Sequence, residues 1–310
     1  MELLVRGMTW ESDGVLSLDL ADPGGAVLPP WEPGAHLDLD GPAGVPRRQY
    51  SLCGDPSDRY RYQIAVLREP ASRGGSAWVH TVLRPGDRVT VSPPRNNFRL
   101  VAAREYLFVA GGIGITPILP MITAARARGA DWRLVYGGRR RASMAFTARL
   151  DDPRVDLWPQ DERGLIDLDT VLGSRPAAVV YCCGPEPLLA AVEARCARRE
   201  LHVERFRARP RTEQELVVRQ ADAPFEVSLA RSGRTVTVGA GQTIIEACEA
   251  AEVYPPSSCL EGTCGTCETK VLAGVPEHRD EILDDEDRAA GETMMICVGR
   301  ARTPRLVLDL

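Results

Sequence analysis

The pattern of apolar and polar positions changes twice along the chain. In the first hundred residues it is short and alternating. His36-Leu37-Asp38-Leu39-Asp40 switches residue by residue, residues 61–68 are rich in β-formers, and residues 87–92 alternate again after the turn Pro85-Gly86. Many short strands without a sustained helical period predict an antiparallel β-barrel over residues 1–102. From residue 103 the apolar runs become continuous. Residues 106–110 form an unbroken apolar strand, Gly111-Gly112-Ile113-Gly114 follows, and a helical stretch runs to about Arg128. Residues 132–136 and 177–182 repeat the buried-strand pattern, with a helix predicted over 187–199. Strands alternating with helices imply an α/β parallel sheet covered on both faces, here over 103–207.

The second change comes at a polar run over 207–224, which predicts a linker at 208–223 and a third domain at 224–310. Charge shifts at the same place. From Asp222 onward there are 16 acidic and 8 basic residues, a net of −8, against −5 for all 310 residues, which leaves +3 for the preceding residues. The helical pattern over 243–254 places Ile244, Ile245, Cys248 and Ala251 on one side and Glu246, Glu249 and Glu252 on a solvated one. A second acidic run, Asp284-Asp285-Glu286-Asp287, lies nearer the C-terminus, and either run could steer a basic partner. The 38 basic residues are outnumbered by 43 acidic ones and scattered, so nothing favours nucleic acid. The uncharged stretch 107–125 contains Gly111, Gly112, Gly114, Pro117 and Pro120, which suit a strand, a turn and a helix start better than a membrane span. The N-terminus lacks a signal-peptide pattern, and nine cysteines, an odd number, argue against a secreted disulfide framework. The expected location is cytoplasmic.

The most specific chemistry lies in the third domain. Cys259, Cys264 and Cys267 stand in C-x4-C-x2-C spacing with Cys297 as a distant fourth thiolate, the pattern of a plant-type [2Fe–2S] site. Three thiolates from one loop converge only if the loop curls tightly, which Gly262 and Gly265 permit. Zinc is the competing reading, but zinc ribbons use paired C-x2-C knuckles and only one such pair is present. Cys53, Cys182, Cys183, Cys196 and Cys248 read as small buried hydrophobes. In the second domain, Gly111, Gly112, Gly114 and Thr116 follow a buried strand and open a helix. Cys183-Gly184-Pro185 does the same after a second strand. Two such loops at strand C-termini can face one crevice and take a dinucleotide pyrophosphate.

These motifs, with RQYSL at 48–52, SRGGS at 72–76 and PPRNNF at 93–98, run through a chain that resembles the phthalate dioxygenase reductase family, which includes the vanillate demethylase reductases. The resemblance covers essentially all 310 residues and implies an FMN barrel, an NAD domain and a C-terminal plant-type ferredoxin domain. It implies that Arg48 binds flavin phosphate or ribityl oxygens and that Tyr50 packs on the isoalloxazine. Val66 and Arg68 line the next strand, and Gly74, Gly75 and Ser76 hold the phosphate. Phe225 covers the flavin from the linker side. Ser51, Cys183 and Glu204 are the implied catalytic set, with Ser51 bonding near N5 and Glu204, beside Phe206, ending the NAD domain near the flavin. Related FAD enzymes carry the ferredoxin at the N-terminus, so domain order favours FMN.

The family mostly uses NADH, while Arg139, Arg140 and Arg141 leave NADPH open. The implied activity is electron transfer from NAD(P)H through FMN and the cluster, one electron at a time. The acceptor is a terminal oxygenase, Rieske-type or, as the variant, a cytochrome P450. A redox-sensing cluster protein without turnover is the alternative class. A self-sufficient hydroxylase is disfavoured because the four histidines form no paired metal motif.

Overall fold

The structure, a computed structural model, describes residues 1–72, 74–209 and 222–310. Most of the expected linker therefore lies outside the described residues, as does Arg73 of the SRGGS segment. Met1–Arg205 form one compact unit and Phe206–Leu310 a second.

The first unit begins with six antiparallel strands: β1 (Glu2–Ser12), β2 (Val15–Ala21), β3 (His36–Asp40), β4 (Arg48–Ser51), β5 (Tyr62–Leu67) and β6 (Arg88–Val91). They are ordered β4-β3-β6-β1-β2-β5. The two outer strands meet through an isolated bridge between Leu52 and Ile64 and a 2.8 Å bond from the Cys53 N–H to the Gln63 carbonyl. That contact closes the sheet into the expected barrel and removes its free edges. Alternate residues point inward, and Leu3, Val5, Leu18, Leu20, Leu37, Tyr62, Ile64 and Val66 fill the interior. A helix at Gly75–Thr81, which alternation alone does not reveal, caps one end.

Five parallel strands follow: β7 (Glu105–Gly111), β8 (Asp131–Gly138), β9 (Val155–Pro159), β10 (Val179–Cys183) and β11 (Leu201–Glu204). Their order is β11-β10-β7-β8-β9. β9 and β11 are short and only part-buried, so they lack the continuous apolar run that marks the other three. One face packs Tyr106, Phe108 and Tyr181 against the helix Ile115–Ala127, and the other packs Leu107, Val109, Val180 and Cys182 against Leu168, Leu172, Leu189 and Val192. Odd and even residues of β7 thus serve opposite cores, which is why its sequence reads as unbroken. The first of these cores also takes in Val15, Cys53, Ala65 and Phe98. The barrel and the parallel sheet therefore share buried surface within the first unit.

The second unit is a five-stranded sheet ordered β13-β12-β18-β14-β16. Its strands are β12 (Phe225–Leu229), β13 (Arg234–Val238), β14 (Glu268–Ala273), β16 (Thr293–Met295) and β18 (Arg305–Leu308), with a small ladder of β15 (Pro276–Glu277) and β17 (Arg300–Ala301) beside it. β12 and β18 are parallel and the other pairs antiparallel. The helix expected over 243–254 spans only Ile244–Ala250. It stops because Glu252 takes a left-handed conformation (φ 58°) and the Val253 N–H folds back to the Cys248 carbonyl at 2.9 Å. Glu246 is not a merely solvated acid. It accepts the Thr243 N–H at 2.8 Å while its own N–H donates to Thr243 Oγ1 at 3.1 Å, a reciprocal cap at the helix start.

One buried cation organises this unit. Arg300, 5% exposed, donates to the carbonyls of Gln242 (2.8 Å), Ala223 (3.1 Å) and Gly239 (3.1 Å) and pairs with Asp222 at 3.2 Å. Its guanidinium lies 4.9 Å from the centre of the Phe225 ring. Replacing it strands three carbonyls and weakens the hold on a buried carboxylate. Arg300→Leu should cost the second unit about 3 kcal/mol. Urea unfolding should show its transition moving while that of the first unit stays in place; a shift worth less than about 1 kcal/mol would contradict the assigned role.

Candidate active site and metal centre

At the C-terminal edge of the parallel sheet, β7 and β10 are adjacent, and the chain leaves them toward opposite sides. This is the switch point at which such sheets bind ligands. The loops leaving the two strands touch backbone to backbone. A Cβ on Gly114 would stand 2.2 Å from the Cys183 carbonyl oxygen, and one on Gly184 would stand 2.9 Å from Gly111 Cα. One on Gly111 would meet Pro185 Cδ at 2.6 Å. Three of the four glycines are thus required by the packing of one loop on the other. Gly112 differs: it has φ 55° and open space around its missing Cβ, so the peptide there is approachable. The helix that follows, Ile115–Ala127, is 13 residues long and begins at this turn. Thr116, 2% exposed, donates its hydroxyl to the Ile113 carbonyl at 2.9 Å, so it braces the turn instead of facing solvent.

Cys183, Glu204 and Ser51 come together beside this crevice. Cys183 and Glu204 are register partners in β10 and β11. Ser51, from the end of β4, donates to Glu204 Oε2 at 3.3 Å, and the Cys183 thiol lies 3.9 Å from the same oxygen. Glu204 as a residue is only part-buried, but its carboxyl is enclosed, and loss of hydration pushes its pKa up to about 8 despite the two donors. Burial likewise pushes the Cys183 thiol well above its ordinary value, with the nearby Glu204 adding to the effect. The three groups form a protonated, mutually bonded set near neutrality.

The barrel side is mixed. Arg48 lies along the start of the Gly75–Thr81 helix, since a Cβ on Gly75 would meet Arg48 Cγ at 2.8 Å. Arg48, Gly74, Gly75 and Ser76 are therefore brought together as expected. The supposed anion nest is nevertheless partly turned inward. Ser72 Oγ accepts the Gly74 N–H at 3.1 Å, the Ala77 N–H at 3.3 Å and the Ser76 hydroxyl at 3.0 Å. Ser72 is the organising residue, and its place in SRGGS was the available signal. Tyr50 is half-buried against the barrel core, and burial pushes its phenol up to about 12 against the pull of Arg48. Arg68 is exposed one residue past β5. Two of the expected flavin-lining residues are buried. Val66 is fully buried in the barrel interior, leaving only its backbone to line a site, and its carbonyl already bonds His80 Nε2 at 2.9 Å. Phe225 is 5% exposed in the core of the second unit, beneath Arg300, so its ring is committed to packing.

In the second unit, Cys259, Cys264, Cys267 and Cys297 converge. Cys259 is paired with Cys264 and with Cys297, and Cys297 with Cys267. Among the described residues no group of three or more His, Cys, Asp or Glu is drawn together as for a single ion. The neighbouring thiols of Cys264 and Cys297 hold the Cys259 thiol far below its usual pKa, and the Glu261 and Thr263 N–H groups, 3.3 and 3.4 Å from its sulfur, reinforce this. A sulfur ringed by such donors suits a cluster thiolate. Gly262 lets the loop close: at φ 78° it lies so near Val298 and Asp280 that a Cβ would fall 2.8 Å from Val298 Cγ2. The other five cysteines are buried and free, as expected.

A sheet-edge crevice for a dinucleotide beside a closed barrel, joined in one chain to a four-thiol nest, defines a flavin iron–sulfur reductase. Residues 227–302 match the 2Fe-2S iron-sulfur cluster binding domain. Over 320 residues the chain is 44% identical to phenoxybenzoate dioxygenase subunit beta of Ectopseudomonas oleovorans, covering 100% of this chain and 97% of that one. The solved structure of phthalate dioxygenase reductase superposes with a TM-score of 0.71 at 38% identity, covering 100% of this chain and 98% of the other. An intact type IV self-sufficient cytochrome P450 monooxygenase superposes with a TM-score of 0.91 at 43% identity; this chain spans 41% of that longer protein. The chain belongs to the phthalate dioxygenase reductase family. It is an NAD(P)H-dependent flavin iron–sulfur oxidoreductase whose cofactors are FMN, a [2Fe–2S] cluster and NAD(H). No helix among the described residues is long and apolar enough to cross a membrane.

The buried carboxyl gives a pH signature. In flavin-free protein Glu204 keeps its proton to about pH 8, whereas the unfolded chain releases it near roughly pH 4.3. Between those values the folded state binds more protons, so this group makes stability fall as pH rises and level off above about 8. Glu204→Gln should remove that slope from the urea midpoint of the first unit measured between pH 5 and 8. Equal slopes in both proteins would contradict the enclosed carboxyl.

Proposed function

We propose that this chain is the reductase component of a multicomponent oxygenase, passing electrons from NAD(P)H to a Rieske-type terminal oxygenase that hydroxylates or O-demethylates an aromatic substrate. One observation carries the reading: the Ser51–Cys183–Glu204 set at a dinucleotide crevice and the four-thiol nest occur in a single chain. When bound, FMN would supply the conversion of a hydride into single electrons, and the cluster a one-electron relay.

The chain's own residues bind and orient. Gly112 and the start of the Ile115–Ala127 helix take the pyrophosphate, on the loop packing that Gly111, Gly114, Gly184 and Pro185 allow. Arg48 and Arg68 supply positive charge for the FMN phosphate beside Gly74–Ser76, and Tyr50 lies along the ring system. Glu204 holds a proton at its carboxyl, and Ser51 and Cys183 keep that group in place. Cys259, Cys264, Cys267 and Cys297 hold the iron.

The coenzyme is NADH, with NADPH the second reading. Arg141 is committed to Glu162 at 2.9 Å, while Arg139 and Arg140 remain exposed after β8. A cytochrome P450 is the second acceptor, favoured by the close superposition on a P450-fused chain. A cytoplasmic location fits nine cysteines without a disulfide.

Cys264→Ser provides the test. It should abolish bound iron, leave about one extractable FMN per chain, retain NADH oxidation with ferricyanide, and lose nearly all transfer to cytochrome c. Full cytochrome c reduction without iron would put the cluster off the electron path and end this reading.

A further inference from the structure

The second unit buries a titratable pair that the proposed electron path leaves unused. His278 is the only histidine from Asp222 onward, and its side chain is 7% exposed. Neither of its ring nitrogens makes a hydrogen bond among the described residues, and nor does Asp280 Oδ2, on a side chain only 1% exposed. His278 Nδ1 lies 3.9 Å from that oxygen, about 1 Å beyond a hydrogen bond. Buried polar atoms in folded proteins nearly always find partners. Three left open at one place mark groups kept for something other than stability.

The pair is built into the wall of the cysteine loop. Asp280 Oδ1 accepts the Ile282 and Leu283 N–H groups at 3.0 and 2.9 Å, which fixes this turn and leaves Oδ2 toward the imidazole. The Glu281 N–H donates to the Gly262 carbonyl at 3.0 Å, and a Cβ on Gly262 would stand 3.1 Å from Asp280 Cα. Gly262 lies between Cys259 and Cys264, and its other close neighbour is Val298, next to Cys297. Arg288, in the helix Asp285–Ala290, donates to the carbonyls of Asp280 and Leu283, both at 2.7 Å. The carboxylate is thus clamped against the loop, and the ring is the part free to respond. Burial holds the His278 pKa below its ordinary value. The Asp280 carboxylate and the Arg288 main chain favour a proton on the ring, whereas the Arg288 and Arg302 guanidiniums oppose it. The ring is therefore neutral at neutral pH, and negative charge added nearby pulls a proton onto it.

We propose that His278 and Asp280 are positioning residues of the metal centre that couple the electron held there to a proton on the imidazole. The proposal rests on the reading of the chain as a cluster-bearing reductase. His278 gains one proton from water as an electron delivered from NAD(P)H arrives, and the ring closes on Asp280 Oδ2. It returns the proton when the electron leaves for the acceptor. The reduced state then binds more protons than the oxidised one, so the reduction potential falls as pH rises through the imidazole range. Redox titration of the full-length holoprotein, followed by the EPR signal of the cluster from about pH 5 to pH 8, tests this. With proton binding strengthened about tenfold by the added charge, the native potential should fall by about 59 mV over that range, the tenfold equivalent for a one-electron couple. His278→Gln should keep its iron and show a potential independent of pH. Asp280→Asn, which keeps the Oδ1 acceptor but removes the charge, should move the sloping interval to lower pH. A merely structural role would change iron content, or the potential equally at every pH. A native slope in His278→Gln overturns the pair. So does a pH-independent potential in the native protein, a measurement that decides the matter even if a variant loses its iron. Such a flat potential beside intact transfer from NAD(P)H to cytochrome c overturns the pair alone. A native protein that held no iron–sulfur cluster would overturn the functional reading and the pair with it.

Discussion

Backbone meets backbone between the turn Gly111–Gly114 and the loop Cys183–Pro185, and the position of Cys183 and Glu204 follows from that contact. Cβ atoms at Gly111, Gly114 or Gly184 would all collide, two of them with main-chain atoms that cannot swing aside. Because the loops interlock, the ends of β7 and β10 are held in one plane, and the Ile115–Ala127 helix starts at a fixed height above the sheet. Cys183, the last residue of β10, then stands opposite Glu204 in β11 by ladder register alone. The crevice is thus a consequence of main-chain packing, and side chains only line it.

The second requirement is that the barrel present Ser51 to Glu204, and a shared core enforces it. Tyr181 shows how. It lies in β10, yet its hydroxyl donates to the Arg99 carbonyl at 2.8 Å and accepts the Val101 N–H at 2.8 Å, gripping the segment that leaves the barrel. Its ring packs edge-on against Phe98, 5.4 Å between centroids. Arg149 reaches back from the α/β side to the Gln63 side chain at 2.9 Å. A misalignment of about 1 Å would open the bond between Ser51 and Glu204, already at 3.3 Å. Joining two folds through buried aromatic residues resists such a shift better than a hinged linker could.

How far the sequence foretells this depends on whether a feature is local. β3, β7 and β8 were legible within a residue or two because their apolar pattern is set by the faces they bury. β9 and β11 were not, since half-exposed edge positions carry little periodic signal. Residues 243–254 followed a helical period, but the period does not register the left-handed turn at Glu252 that ends the helix at Ala250. Among the site residues, the cysteines were legible from spacing. The proposed roles of Ser51 and Glu204 came only with the family resemblance, because nothing local links residues 153 positions apart. The burial of Val66 and Phe225 was not legible for one reason: a strand residue's position is readable from the sequence, but which face it presents is set by the whole sheet.

The fourth cysteine shows what spacing leaves unexplained. Cys297 lies thirty positions after Cys267, too far for any loop to dictate its place. Antiparallel pairing does so instead. Glu268 stands opposite Met295 and Lys270 opposite Thr293, so the residue before the first pair and the residues after it are carried to the same end of the ladder. The Ile296 N–H reaches the Cys267 carbonyl at 3.4 Å, extending that pairing toward the thiols. Met294, Met295 and Ile296 are essentially fully buried. Slipping the register by one residue would exchange the faces of these buried side chains and carry Cys297 away from its partners, so the packing that stabilises the sheet also fixes the last thiol. The metal centre is therefore held on one side by a short loop bent through glycines and on the other by a hydrophobic strand pair.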